Sequence, residues 1–147
     1  MDNPYDQMVI DGLMGMPGTQ RVPSPKLTLF VRKAFLSPEE CAALIERIET
    51  NRRPSTLANF NGDALFRTSE TCDLDGADPA VRLVDERIAA TARLDLKYGE
   101  PMQGQRYEVG QEFKAHTDYF EPQGEDYARD TSVAGQRTWT VMIYLNE

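Results

Sequence analysis

The sequence holds one histidine, two cysteines and no apolar run approaching the ~18 residues that span a bilayer. Each shortage excludes something. Cys41 and Cys72 are isolated, with no CxxC spacing, so neither a zinc ribbon nor a disulfide framework is expected. They read as two small core residues in a reducing compartment. Cations are also short, with 16 Lys and Arg against 24 Asp and Glu for a net charge of −8. No basic cluster offers a groove to a phosphate backbone, so nucleic acid is not expected as a partner. The opening MDNPYDQMVI lacks a basic stretch followed by an apolar core, so no secretory signal is expected. No membrane association is expected, and a cytoplasmic location follows as the default. Internal repeats and low-complexity tracts are absent too.

What is there suffices for one packed domain: 147 residues, 40% hydrophobic and 27% charged. Residues 1–25 are rich in Gly, Pro and Met without a period and predict an irregular arm. Leu27 to Val31 predicts a strand. Ser37, Pro38 and Glu40 form the start signal of a helix, with a capping box and Pro at its first position. Cys41, Leu44, Ile45 and Ile48 then make one apolar stripe to about Thr50. Asn51 to Gly62 predicts a loop with at most a short strand, and Ala64 to Leu74 a strand with one wet face. A second helix opens at Asp78-Pro79 and carries Val81, Val84, Ile88 and Ala92 on one side. Met102 to Val109, Phe113 to His116 and Thr138 to Leu145 predict strands, with a polar acidic loop from Glu121 to Gly135. Helices followed by strands in series, without βαβ alternation, predict an α+β arrangement or a helix-buttressed barrel.

The stretch RYEVGQEFKAHTDY carries the chemistry. His116 and Asp118 are two apart, so an extended chain sends both side chains from one face. An imidazole nitrogen and a carboxylate oxygen so placed can share a metal at ~2.0–2.2 Å. With a further imidazole they would make the facial triad of non-haem Fe(II) oxygenases. On the pair alone, a hydrogen-bonded structural histidine is the ordinary reading.

The longer run RYEVGQEFKAHTDYF, followed by GQRTWTVMIYLNE, resembles the prolyl 4-hydroxylase type of 2-oxoglutarate- and Fe(II)-dependent dioxygenases. Upstream, the strand, the Ser-Pro-Glu-Glu helix start and Arg67-Thr68-Ser69 fit as well, so the resemblance runs from about Lys26 to Glu147. It divides the chain into the arm, 1–25, and a dioxygenase domain, 26–147. It implies a double-stranded β-helix, or jelly roll, with an N-terminal helical buttress, and His116 and Asp118 as iron ligands. It implies Tyr107 and Tyr144 in the 2-oxoglutarate pocket, with Met142 on the Tyr144 face. Arg137 then lies at the mouth of the site, and Arg67 to Ser69 form a segment that closes over peptide. Gly110 reads as turn backbone, and Trp139 and Tyr119 as packing residues. The implied reaction is hydroxylation of a peptidyl proline with Fe(II), 2-oxoglutarate, O2 and ascorbate, releasing succinate and CO2. A free amino acid, a lysyl side chain or an alkylated base are alternative substrates.

The family pattern continues past Tyr-Leu-Asn to a distal histidine, the third ligand, and then to a Lys or Arg that anchors 2-oxoglutarate. Neither is in these 147 residues. The expectation is therefore a domain incomplete at its C-terminal side, with about half of the barrel, and the alternative is a non-catalytic fragment or pseudoenzyme.

Overall fold

The computed structural model of the chain describes residues 4–55, 65–124 and 127–146. Where an irregular arm was expected, Pro4–Met14 forms helix α1 and Thr19–Val22 forms strand β1. An isolated helix of 11 residues is marginal in water. This one is held by surfaces distant in sequence, which local composition does not reveal. Val9 and Gly12 are buried, Gly12 lies against the Arg93 side chain, and Asp6 accepts a hydrogen bond from Trp139 Nε1 at 2.9 Å. Strand β1 pairs antiparallel with β2 (Leu29–Arg32), with Thr19 opposite Arg32 and Val22 opposite Leu29.

Helix α2 (Pro38–Asn51) starts at the expected capping box. Glu40 N–H donates to Ser37 Oγ at 3.2 Å, and Ser37 N–H donates to the Glu40 carboxylate at 2.8 Å. Strands β3 (Arg53–Pro54) and β4 (Glu70–Asp73) follow, then helix α3 (Pro79–Ala92), whose Asp78 cap accepts from Ala80 N–H at 2.8 Å. A 3-10 turn (Leu96–Tyr98), strand β5 (Gln103–Arg106) and the single-turn helix α4 (Tyr127–Asp130) complete the described elements. The last of these lies inside the stretch expected to be an acidic loop.

Strands β3, β4 and β5 make an antiparallel sheet in that order, with Cys72 opposite Gly104 and Glu70 opposite Arg106. Helix α2 packs on the sheet, and α3 packs against α2. Their apolar stripes supply Leu44, Ile48, Val81 and Val84 to a core shared with Leu36, Cys72 and Leu74. Burial pushes the Cys72 thiol above the usual cysteine pKa, and both cysteines are free. At Gly104 a Cβ would run into the Ile48 side chain, so glycine lets α2 lie close on the sheet. Helices and small antiparallel sheets give an α+β architecture. Among the described residues, no helix is long and apolar enough to cross a membrane.

Four strand expectations are corrected. The stretch 64–74 narrows to Glu70–Asp73, and 102–109 narrows to Gln103–Arg106. Phe113 to His116 contributes one bridge, Arg67 to Phe113, and no strand. Thr138 to Leu145 makes no backbone–backbone hydrogen bond among the described residues. It keeps the period of an extended chain: Ile143 and Leu145 pack on the core while Met142 and Tyr144 face out. A strand is defined by its ladder, and apolar alternation alone supplies no partner. Of the loop expected at 51–62, β3 is the short strand, and residues 56–62 lie outside the described residues.

Candidate metal centre

The chain leaves β5 through a turn that explains the Arg-Tyr-x-x-Gly-Gln pattern. Gly110 takes φ +90°, a conformation costly to any residue with a Cβ. Gln111 closes the turn twice. Its N–H donates to the Glu108 carbonyl at 2.9 Å, and its Oε1 accepts from Glu108 N–H at 2.8 Å. Arg106 donates to Glu49 of α2 at 2.8 Å and to Glu70 of β4 at 3.4 Å, tying helix to sheet. Beyond the turn the chain runs beside 66–68. Thr68 N–H donates to Glu112 O, and Lys114 N–H to Phe66 O, each at 2.9 Å.

This pairing carries the chain to His116. The imidazole stacks on Phe113, with centroids 3.7 Å apart and planes at 24°. Its Nδ1 lies 2.6 Å from the Lys114 carbonyl oxygen. A carbonyl can only accept, so Nδ1 carries the proton, and the neutral ring keeps its lone pair on Nε2. That nitrogen faces Asp118 Oδ1 at 3.4 Å. Two acceptors so placed can be bridged by a cation, either a second ring proton or a metal ion. Donors at ~2.1 Å from one ion are about 3.0 Å apart at a right angle and about 3.4 Å at the tetrahedral angle. The pair therefore fits two adjacent positions around one metal. Among the described residues no third His, Cys, Asp or Glu completes a cluster with them.

Asp118 is held from the other side by residues 136–140. Thr140 Oγ1 donates to Asp118 Oδ2 at 2.6 Å, and Arg137 donates to the Asp118 carbonyl at 3.4 Å. Gln136 grips the Phe120 backbone, accepting from its N–H at 2.7 Å and donating to its carbonyl at 2.8 Å. Sequence reasoning passed over Thr140 and Gln136. The signal for Thr140 was its period-2 spacing from Met142 and Tyr144.

The other expected residues are placed less tightly. Arg67 Cζ lies 4.7 Å from the Phe113 centroid, on the aromatic that backs His116. Its guanidinium donates to Ser69 Oγ at 3.3 Å and to Thr71 Oγ1 at 2.9 Å, and burial lowers its pKa. Ser69 is buried, so the segment expected to close over peptide is here fastened into the sheet. Tyr107 is 44% exposed, and its phenol donates to Gln105 Oε1 at 2.8 Å. Arg137 makes a two-pronged ion pair with Glu100, which raises its pKa, and lies 4.3 Å over Phe120. Tyr144 is 83% exposed, on the same side of its segment as Thr140 by the period-2 rule. Trp139 is half-buried against α1, as a packing residue should be.

No protein-family model matches the chain. Curated proteins do. It is 34% identical over 118 residues to Probable prolyl 4-hydroxylase 10 of Arabidopsis thaliana, covering 77% of this chain and 39% of that protein. It is 35% identical over 135 residues to Prolyl 4-hydroxylase 2 of the same plant, covering 88% and 44%. Probable prolyl 4-hydroxylase 3 is 32% identical over 123 residues, covering 80% and 41%. The chain thus spans about two fifths of the length of the curated relatives it matches.

Proposed function

Because this chain belongs to the prolyl 4-hydroxylase-type family, we propose that it serves the hydroxylation of a peptidyl proline with Fe(II), 2-oxoglutarate and O2. The observation that carries the reading is the facing pair, His116 Nε2 and Asp118 Oδ1 at 3.4 Å, with the imidazole tautomer set by the Lys114 carbonyl. These two residues would hold the iron. When bound, Fe(II) and 2-oxoglutarate supply dioxygen activation, with oxidative decarboxylation to succinate and CO2 and transfer of one oxygen atom to a C–H bond. Tyr107 and Tyr144 would orient the cosubstrate through their phenols. Arg67 and Arg137 would meet a proline-containing peptide, and ascorbate would keep the metal reduced. The fold that goes with this reading is a double-stranded β-helix with α2 and α3 as its buttress.

The single histidine gives these 147 residues one imidazole for the metal, which favours a second reading of the chain as a non-catalytic module. Succinate release decides between them. With Fe(II), ascorbate, 2-oxoglutarate and a proline-rich peptide, the enzyme reading expects peptide-stimulated succinate that His116→Ala abolishes. Absence of His116-dependent succinate would establish the non-catalytic reading for this chain.

A further inference from the structure

We propose that Thr140 is a positioning residue for the metal centre, holding Asp118 as a one-oxygen ligand. The inference rests on the reading of His116 and Asp118 as metal ligands. Asp118 has two carboxylate oxygens, and the structure gives them different tasks. Oδ2 accepts the Thr140 hydroxyl at 2.6 Å, while Oδ1 faces His116 Nε2 at 3.4 Å. A carboxylate free to rotate could present either oxygen, or both. The hydroxyl bond stops that rotation and directs one lone pair toward the imidazole. It also withdraws the second oxygen, which keeps a further coordination position open for a cosubstrate.

The arrangement is built from chain segments that share no strand ladder. The Gln136 side chain grips the backbone of Phe120 at 2.7 and 2.8 Å. That fixes the register between 118–120 and 136–140, so that Thr140 falls opposite Asp118. Valine in place of Thr140 has nearly the same shape and no donor. Serine keeps the donor.

The test uses the full chain and Mn(II) as probe. His116 is the sole histidine, so its ring signals in an NMR spectrum need no assignment strategy. Paramagnetic broadening of the His116 Cε1–H signal gives an apparent Kd for Mn(II). Loss of an outer partner of a metal ligand typically weakens affinity about 10–100-fold. Thr140→Val is expected to raise the Kd about tenfold, Thr140→Ser to stay within about twofold of the parent, and Asp118→Asn to weaken binding at least as much as valine. Matching circular dichroism melts for the two Thr140 variants separate positioning from misfolding. Equal Kd values for the parent and Thr140→Val would overturn the role of Thr140 and leave the metal reading standing. If the parent and Asp118→Asn broaden alike, the metal reading falls, and the role of Thr140 falls with it.

Discussion

Glu40 shows how far one side chain can be committed. Its carboxylate receives a forked contact from Arg87, at 2.8 and 2.6 Å, and the N–H of Ser37 at 2.8 Å. The Arg87 guanidinium, followed by the Ser37 N–H, holds its pKa down to about 2 from 4.5. Folded Glu40 thus binds its proton more weakly than the unfolded chain does. Its contribution to stability is complete above pH 4.5 and is lost as pH falls from there toward about 2. Urea unfolding at a series of pH values should show that loss in the parent. Glu40→Gln should be less stable near neutrality and show a shallower acid decline. The capping half of this arrangement was legible, because Ser37 and Glu40 sit three apart. Arg87 was not, since it comes from α3, 47 positions along the chain. The candidate site divides in the same way. His116 and Asp118 stand out only through the longer motif around them, whereas Thr140 reaches Asp118 from 22 positions away and is one threonine among several in the sequence.

At the level of elements, the two capped helices α2 and α3 were read well, α1 and α4 were missed, and the strands were read only in part. A helix satisfies its backbone from within and marks its ends with caps, so α2 and α3 follow from Ser37, Asp78 and their apolar stripes. A strand needs a neighbour, and the neighbour is decided by the fold. Met102 to Val109 and Thr138 to Leu145 both read as strands in the sequence, yet only the first finds a ladder, along β4. Gly104 belongs to this scale. Its missing side chain admits Ile48, which is 6% exposed and joins α2 to the sheet. Gly104→Ala is expected to destabilise the chain by about 1–3 kcal/mol, the usual cost of overpacking, as a lower urea midpoint at unchanged slope. Trimming Ile48 to Ala in the Gly104→Ala background should recover part of the shared packing clash, visible as non-additivity of the two changes.

Across the whole molecule, the two ends of the described chain meet. Asp6 of α1 accepts the Trp139 indole N–H, and α1 otherwise leans on α3 through Gly12 and Arg93. Helix α1 and the segment that carries Thr140 are therefore coupled through one buried-edge hydrogen bond. Trp139 is the only tryptophan, so the coupling has its own reporter. Asp6→Ala should shift Trp139 emission to longer wavelength as water reaches the indole, and should lower the melting temperature. An unchanged spectrum would show that the indole environment does not depend on this contact.

The sequence by itself determined whatever is written in local chemistry. It specified the capped helices with their apolar faces and the Gly-Gln turn after β5. It also specified the His-x-Asp pair and the family to which the motifs belong. Local signals suffice there because hydrogen bonds and burial patterns close within a few residues. Only the tertiary structure decided that residues 4–14 are helical, that Phe113 to His116 and Thr138 to Leu145 go without ladders, and that Arg87, Gln136 and Thr140 serve Glu40, Phe120 and Asp118. Those outcomes depend on which surfaces meet after the chain has folded back on itself, and no local pattern of charge or hydropathy encodes the meeting.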